Sequence, residues 1–85
     1  VLIQFNVYEG NDLAFVESIP RARKVPHKGT CVQFPDSEDT RFAEVTNIIW
    51  YMFRDADPLV QVIAEICDEP KCRASGKPFS NEDLT

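Results

Sequence analysis

Apolar and polar residues alternate with a period of two over the first eight positions: Val1, Ile3, Phe5 and Val7 fall on one side, Gln4 and Asn6 on the other. Successive side chains of an extended strand point to opposite faces, so this pattern predicts a strand with one buried face. Glu9, Gly10, Asn11 and Asp12 tolerate the left-handed and Asx-turn geometries that reverse a chain. Residues 13–19 return with a blurred alternation: Ala14 and Val16 share one side, and Leu13, Phe15, Glu17 and Ile19 the other. The two runs make an opening β-hairpin, closed by Pro20, which offers no ladder donor.

Residues 21–28 carry charge without apolar periodicity, which predicts an exposed connection. Val32 and Phe34 alternate with Cys31 and Gln33 as a short third strand, ended by Pro35 and followed by an acidic turn, Asp36, Ser37, Glu38 and Asp39. Residues 41–53, RFAEVTNIIWYMF, fit two templates. On a strand, Ala43, Val45, Ile49, Tyr51 and Phe53 share a face with Asn47 out of place, while Ile48, Trp50 and Met52 share the other. On a helix capped by Ser37 or Asp36, Phe42, Val45, Ile49, Met52 and Phe53 make one stripe with Thr46 as the exception. Aromatic and β-branched side chains dominate the run and pack well on a pleated surface, so a strand is expected. An α+β fold with residues 37–53 helical is the alternative. Residues 54–58 form a turn, and Val60, Val62, Ala64 and Ile66 mark a fifth strand over 59–67.

The pattern over residues 1–67 predicts a mainly β domain, a five-stranded antiparallel meander curled into a small, partly open, SH3-like barrel. The aromatic strand is apolar on both faces and should be central or covered on both sides. Residues 68–85 hold two prolines and few apolar residues, too few to offset their ordering entropy. They are expected to form a loose C-terminal tail with Phe79 and Leu84 as anchors.

Composition narrows the function classes. A chain of 85 residues, 44% hydrophobic and 27% charged, is one domain that is too apolar for overall disorder. It lacks the roughly 18 consecutive apolar residues of a membrane helix and any pattern of a secretory leader. The net charge of −5 argues against general binding to nucleic acid or anionic membranes, which need a positive surface. Three cysteines, an odd number, favour a reducing, cytoplasmic setting.

Candidate chemistry is sparse. His27 and Cys31 could form a nucleophile pair, but a loop histidine beside a small buried thiol is the expected arrangement, so no catalytic residue is assigned. Cys67 and Cys72 either remain free thiols or pair around a turn. Two cysteines and one distant histidine do not make a recognised ligand set, so no metal and no cofactor are expected. Arg21, Arg23, Lys24 and Lys28 place four of the nine basic residues in one loop, a candidate surface for an acidic protein partner. Trp50 and Tyr51 face opposite sides of the expected strand: one belongs in the core, and the other is either covered by the tail within the chain or presented to a partner or a second copy.

The segments FNVYEG, VPHKGTCVQF, FAEVTNIIWY and VQVIAEI, with a second strand ending at Ile19 and Pro20, occur in an order that resembles small uncharacterised β-proteins of bacteria, phages and mobile gene cassettes. The resemblance concerns the spacing of hydrophobic, Pro and Gly positions and implies no activity. The functional expectation is a non-catalytic protein-binding or accessory protein that forms a homodimer or binds another protein through an aromatic sheet face or an edge strand. The alternative is a small-ligand binder or enzyme with its site beside the loop 21–28 and His27/Cys31.

Overall fold

A computed structural model describes residues 1–35, 40–74, 76 and 78–85; the expected acidic turn at 36–39 lies outside the described residues. The chain forms five strands, β1 (Leu2–Glu9), β2 (Asp12–Ile19), β3 (Cys31–Pro35), β4 (Thr40–Tyr51) and β5 (Leu59–Cys67). Two short helices follow, α1 (Glu69–Ala74) and α2 (Asn81–Leu84). The strands make one curled sheet in the order β2-β1-β5-β4-β3. The mainly β, small half-barrel expectation holds, and residues 40–51 are strand rather than helix.

The strand order departs from a meander. Three pairs are antiparallel, but β1 lies parallel to β5, with Ile3 opposite Val60, Phe5 opposite Val62 and Val7 opposite Ala64. The reason is burial. β1 and β5 carry the two most regular apolar faces, and these six side chains are all fully or almost fully buried. Placing them side by side at the sheet centre leaves β2, with Asp12, Glu17 and Ser18, on an edge where its polar groups reach water.

This order obliges residues 20–30 to travel from one edge of the sheet to the other. The curl makes the journey short, because the Phe34 ring on β3 meets both Phe5 and Phe15 edge-on, at 5.2 Å between centroids in each case. The connection is therefore not wholly exposed. Ala22 and Pro26 are buried beneath the barrel, while Arg21, Arg23, Lys24, His27 and Lys28 point to solvent. Its backbone is tied at both ends. The Ala22 N–H donates to the Val1 carbonyl (2.9 Å) and the Val1 ammonium to the Ala22 carbonyl (3.2 Å). The Gly29 N–H donates to Val45 (2.8 Å), and the Val45 N–H to Thr30 (2.8 Å). Gly29 has φ 91°, a conformation that a β-carbon would strain.

Beyond residue 67, several described residues make defined contacts with the sheet and the connection 20–30. Phe79 forms a parallel bridge alongside β3, opposite Val32, donating its N–H to the Cys31 carbonyl (2.9 Å) and accepting from the Gln33 N–H (2.7 Å). Ser80 caps α2: its N–H and hydroxyl both donate to the Asp83 carboxylate, at 3.0 and 3.2 Å. Leu84 is fully buried in the main core, and its carbonyl accepts from the Arg23 N–H (2.7 Å). Both expected anchors are present, and capping with burial supplies the ordering energy that composition alone does not show. Leu84→Ala is expected to destabilise the fold by about 2–3 kcal/mol, the cost of emptying a buried leucine site. Urea unfolding measures this; a change below about 0.5 kcal/mol, usual for an exposed surface position, would mean the tail is not part of the core.

Candidate functional site

The candidate site is the far end of the β4–β5 hairpin. β3 pairs with β4 only from Thr40 to Glu44, and β4 continues to Tyr51 with β5 alone beside it. Twelve residues at about 3.3 Å each give β4 a length near 40 Å, which matches the longest extent of the molecule, 41 Å. The hairpin end therefore projects past β3, while β1 runs alongside β5 as far as Leu59.

A β-bulge determines which side chains reach that end. Val45 lies opposite Ala64 and Asn47 opposite Ile63, so Thr46 is an extra residue, and its hydroxyl donates to the Ile63 carbonyl (3.2 Å). The bulge reverses the facing of every later residue. The core side carries Ala43 and Val45, then Ile48 and Trp50; the outer side carries Phe42 and Glu44, then Asn47, Ile49 and Tyr51. Asn47, out of place on a regular strand, faces outward once the bulge is counted.

Trp50 and Tyr51 do face opposite ways as expected, but neither is core. Trp50 is 51% exposed and Tyr51 42%, and Met52 (74%) and Phe53 (53%) extend the run. Trp50 lies beside the fully buried Val60 at the margin of the inner face, where half of its surface remains open. Tyr51, Leu59 and Leu2 form one outer row, and the Tyr51 hydroxyl donates to Gln61 Oε1 (3.3 Å). Trp50 and Tyr51 at the end of β4, with Met52 and Phe53 just beyond it, thus put four consecutive large apolar side chains largely or half in solvent beside an open strand edge. Among the described residues, no backbone bond outside the β4–β5 ladder reaches residues 46–51. Only the Ile48 N–H is blunted, donating to the Asn47 side chain at 2.9 Å.

The other expected sites stand apart from this end or are unavailable. Arg21, Arg23, Lys24 and Lys28 are exposed, spread along a connection whose buried residues serve the core. His27 is exposed, and its carbonyl accepts from the Thr30 hydroxyl (2.6 Å); no hydrogen bond among the described residues joins it to Cys31. Cys31 is buried and bonded to Cys72 in a disulfide with a Cα separation of 5.5 Å, so the His27/Cys31 pair is not assembled. This also corrects the cysteine expectation: Cys72 pairs with Cys31, and Cys67 is the free thiol. Register explains why. Cys31 and Cys67 both lie on the outer sheet face, where α1 delivers Cys72 over Phe42. A cleft of about 340 Å³ lies between the two sheet edges, lined by Phe15, Glu17, Phe34 and Arg41, with the Arg41 guanidinium 5.4 Å from the Phe15 ring centre. It is the seam of the half-barrel, and none of residues 21–28 lines it.

Burial raises the pKa of the Cys67 thiol above its ordinary value, reinforced by Glu44 and Asp68 and opposed by Lys71. Because the thiolate is the nucleophile, a raised pKa means less of it at any given pH. Cys67 is expected to alkylate more slowly than an unhindered thiol near neutrality, with a rate that climbs beyond the usual thiol range. Glu44→Gln should speed the reaction at fixed pH, and an unchanged rate would remove Glu44 as a cause. Cys72→Ser opens a cross-link between residues 41 apart; on the loop-entropy account it should cost about 4 kcal/mol of stability, read from chemical denaturation.

No family model matches this chain, and comparison with curated proteins and with solved structures finds no match. No helix among the described residues is long and apolar enough to cross a membrane.

Proposed function

We propose that this is a non-catalytic protein-binding domain that self-associates through the projecting end of the β4–β5 hairpin. The observation that carries the reading is the run Trp50, Tyr51, Met52 and Phe53, exposed on a strand with an open edge. Exposed aromatic and methionine side chains in one place are costly to leave in water and are the residue types that concentrate binding energy at interfaces. An open strand edge supplies unpaired N–H and C=O groups in register, a template for a second strand. Two copies related by a twofold axis would pair β4 with β4, continuing one sheet into the other and stacking the aromatic residues across the join.

The basic residues Arg21, Arg23, Lys24 and Lys28 offer a second contact, to an acidic protein surface. The chain itself is acidic overall, which suits neither nucleic acid nor an anionic membrane. The reading places the protein in the cytoplasm, on the odd cysteine count, where Cys31 and Cys72 would be held reduced.

Light scattering on the purified chain is expected to give a mass above that of the 9.7 kDa monomer, falling to the monomer in Trp50→Ala with an unchanged circular dichroism spectrum. A wild-type chain that stays monomeric at high micromolar concentration ends the self-association reading.

A further inference from the structure

Three cysteine side chains, distant in sequence, converge on the outer face of the sheet. Cys31 comes from β3, Cys67 from the end of β5 and Cys72 from α1, and all three Sγ atoms lie within 4.8 Å of one another. A cross-link needs two of them. The third, Cys67, sits with its sulfur 3.5 Å from that of Cys31. Beside the cluster, Glu44 and Glu65 stand directly opposite each other across the β4–β5 ladder, a placement that costs stability for like charges. With Cys67, Thr46, Ile66 and Lys71 they line a recess of about 140 Å³. Three sulfurs within reach of one another, two of them on buried residues, are the donor set of a thiophilic divalent cation, and the two carboxylates beside Cys67 add negative charge nearby.

We propose that the reduced chain binds one zinc ion through the thiolates of Cys31, Cys67 and Cys72. Tetrahedral zinc, with Zn–S bonds of about 2.3 Å, holds its sulfurs about 3.8 Å apart. The Cys31–Cys67 separation of 3.5 Å is close to that value, and Cys31 and Cys72 move apart to it once their bond is reduced. The disulfide and the metal site are alternative states of the same cluster. A dithiol reductant supplies two electrons and two protons to the Cys31–Cys72 bond, becoming a disulfide itself and leaving two thiols. Zinc then displaces three protons, one from each thiol, and a water molecule completes its tetrahedron.

The test uses the whole chain, reduced and kept free of oxygen, with cobalt(II) as the optical probe. One equivalent is expected to produce thiolate-to-cobalt absorption in the near ultraviolet and the visible bands of a tetrahedral ion, both abolished when zinc is added. The oxidised chain should produce neither. Cys67→Ser leaves the Cys31–Cys72 disulfide intact, so its fold is verified in the oxidised form. After reduction it should lose about a third of the ultraviolet intensity and bind zinc at least about tenfold more weakly, having lost one of three thiolates. The proposal is overturned if the reduced wild type shows no stoichiometric cobalt band. It is equally overturned if Cys67→Ser binds zinc as tightly as the wild type, as a purely cross-linking role for the cluster requires.

Discussion

The parallel pairing of β1 with β5 is the constraint on which the rest of the structure depends. It joins the first strand of the chain to the last, placing Ile3, Phe5 and Val7 beside Val60, Val62 and Ala64 in the middle of the core. With these two at the centre, β2 and β3 become the edges, and the sheet must curl before Phe34 can reach Phe5 and Phe15. The same order makes residues 20–30 a strap under the barrel, which explains why a segment so rich in charge keeps Ala22 and Pro26 out of water. Pairing across so long a stretch of chain also bears on folding. β1 has no inner neighbour until β5 exists, so the N-terminal hairpin cannot complete its core alone, and contacts of this range are slow to form.

The projecting hairpin end follows from a mismatch of lengths. β3 has five residues and β4 has twelve, so half of β4, residues 46–51, is paired on one side only among the described residues. The bulge at Thr46 then decides that Trp50 leaves on the core side and Tyr51 on the outer side. A sheet end that is apolar on both faces has no internal partner in so small a chain, and association is the economical way to cover it. The cysteine cluster lies at the opposite end of the β4–β5 ladder, near Phe42 and Cys67, so the two features can operate separately.

Much of this was legible in the residues. Alternation located all five strands, and the aromatic run from Phe42 was read as strand because β-branched and ring side chains outnumber helix formers. Partner order was not legible, since a period of two shows which face is buried but not which strand lies alongside. The bulge left one trace, Asn47 on an apolar face, that an inserted residue explains. The tail carried clearer signals than its composition suggested: Asp68, Glu69 and Pro70 make an acidic, proline-bearing helix start, and Ser80 with Asp83 makes a capping pair. For the candidate site, Trp50 and Tyr51 were singled out by side-chain type, whereas Met52 and Phe53 joined them only once β3 proved too short to cover the hairpin end. The cysteine cluster was hidden because its members are assembled by register and helix placement, not by spacing.

The strap has one more consequence. Ala22 is bonded to Val1, and the next residue, Arg23, is bonded to Leu84, so the two ends of the described chain are held by adjacent residues of the same segment. Leu2 in turn donates its N–H to Pro58, at the base of the apolar hairpin end. The strap thereby couples β1 and α2 to the base of the hairpin, so a change that loosens residues 22 and 23 would release both together as one cooperative unit.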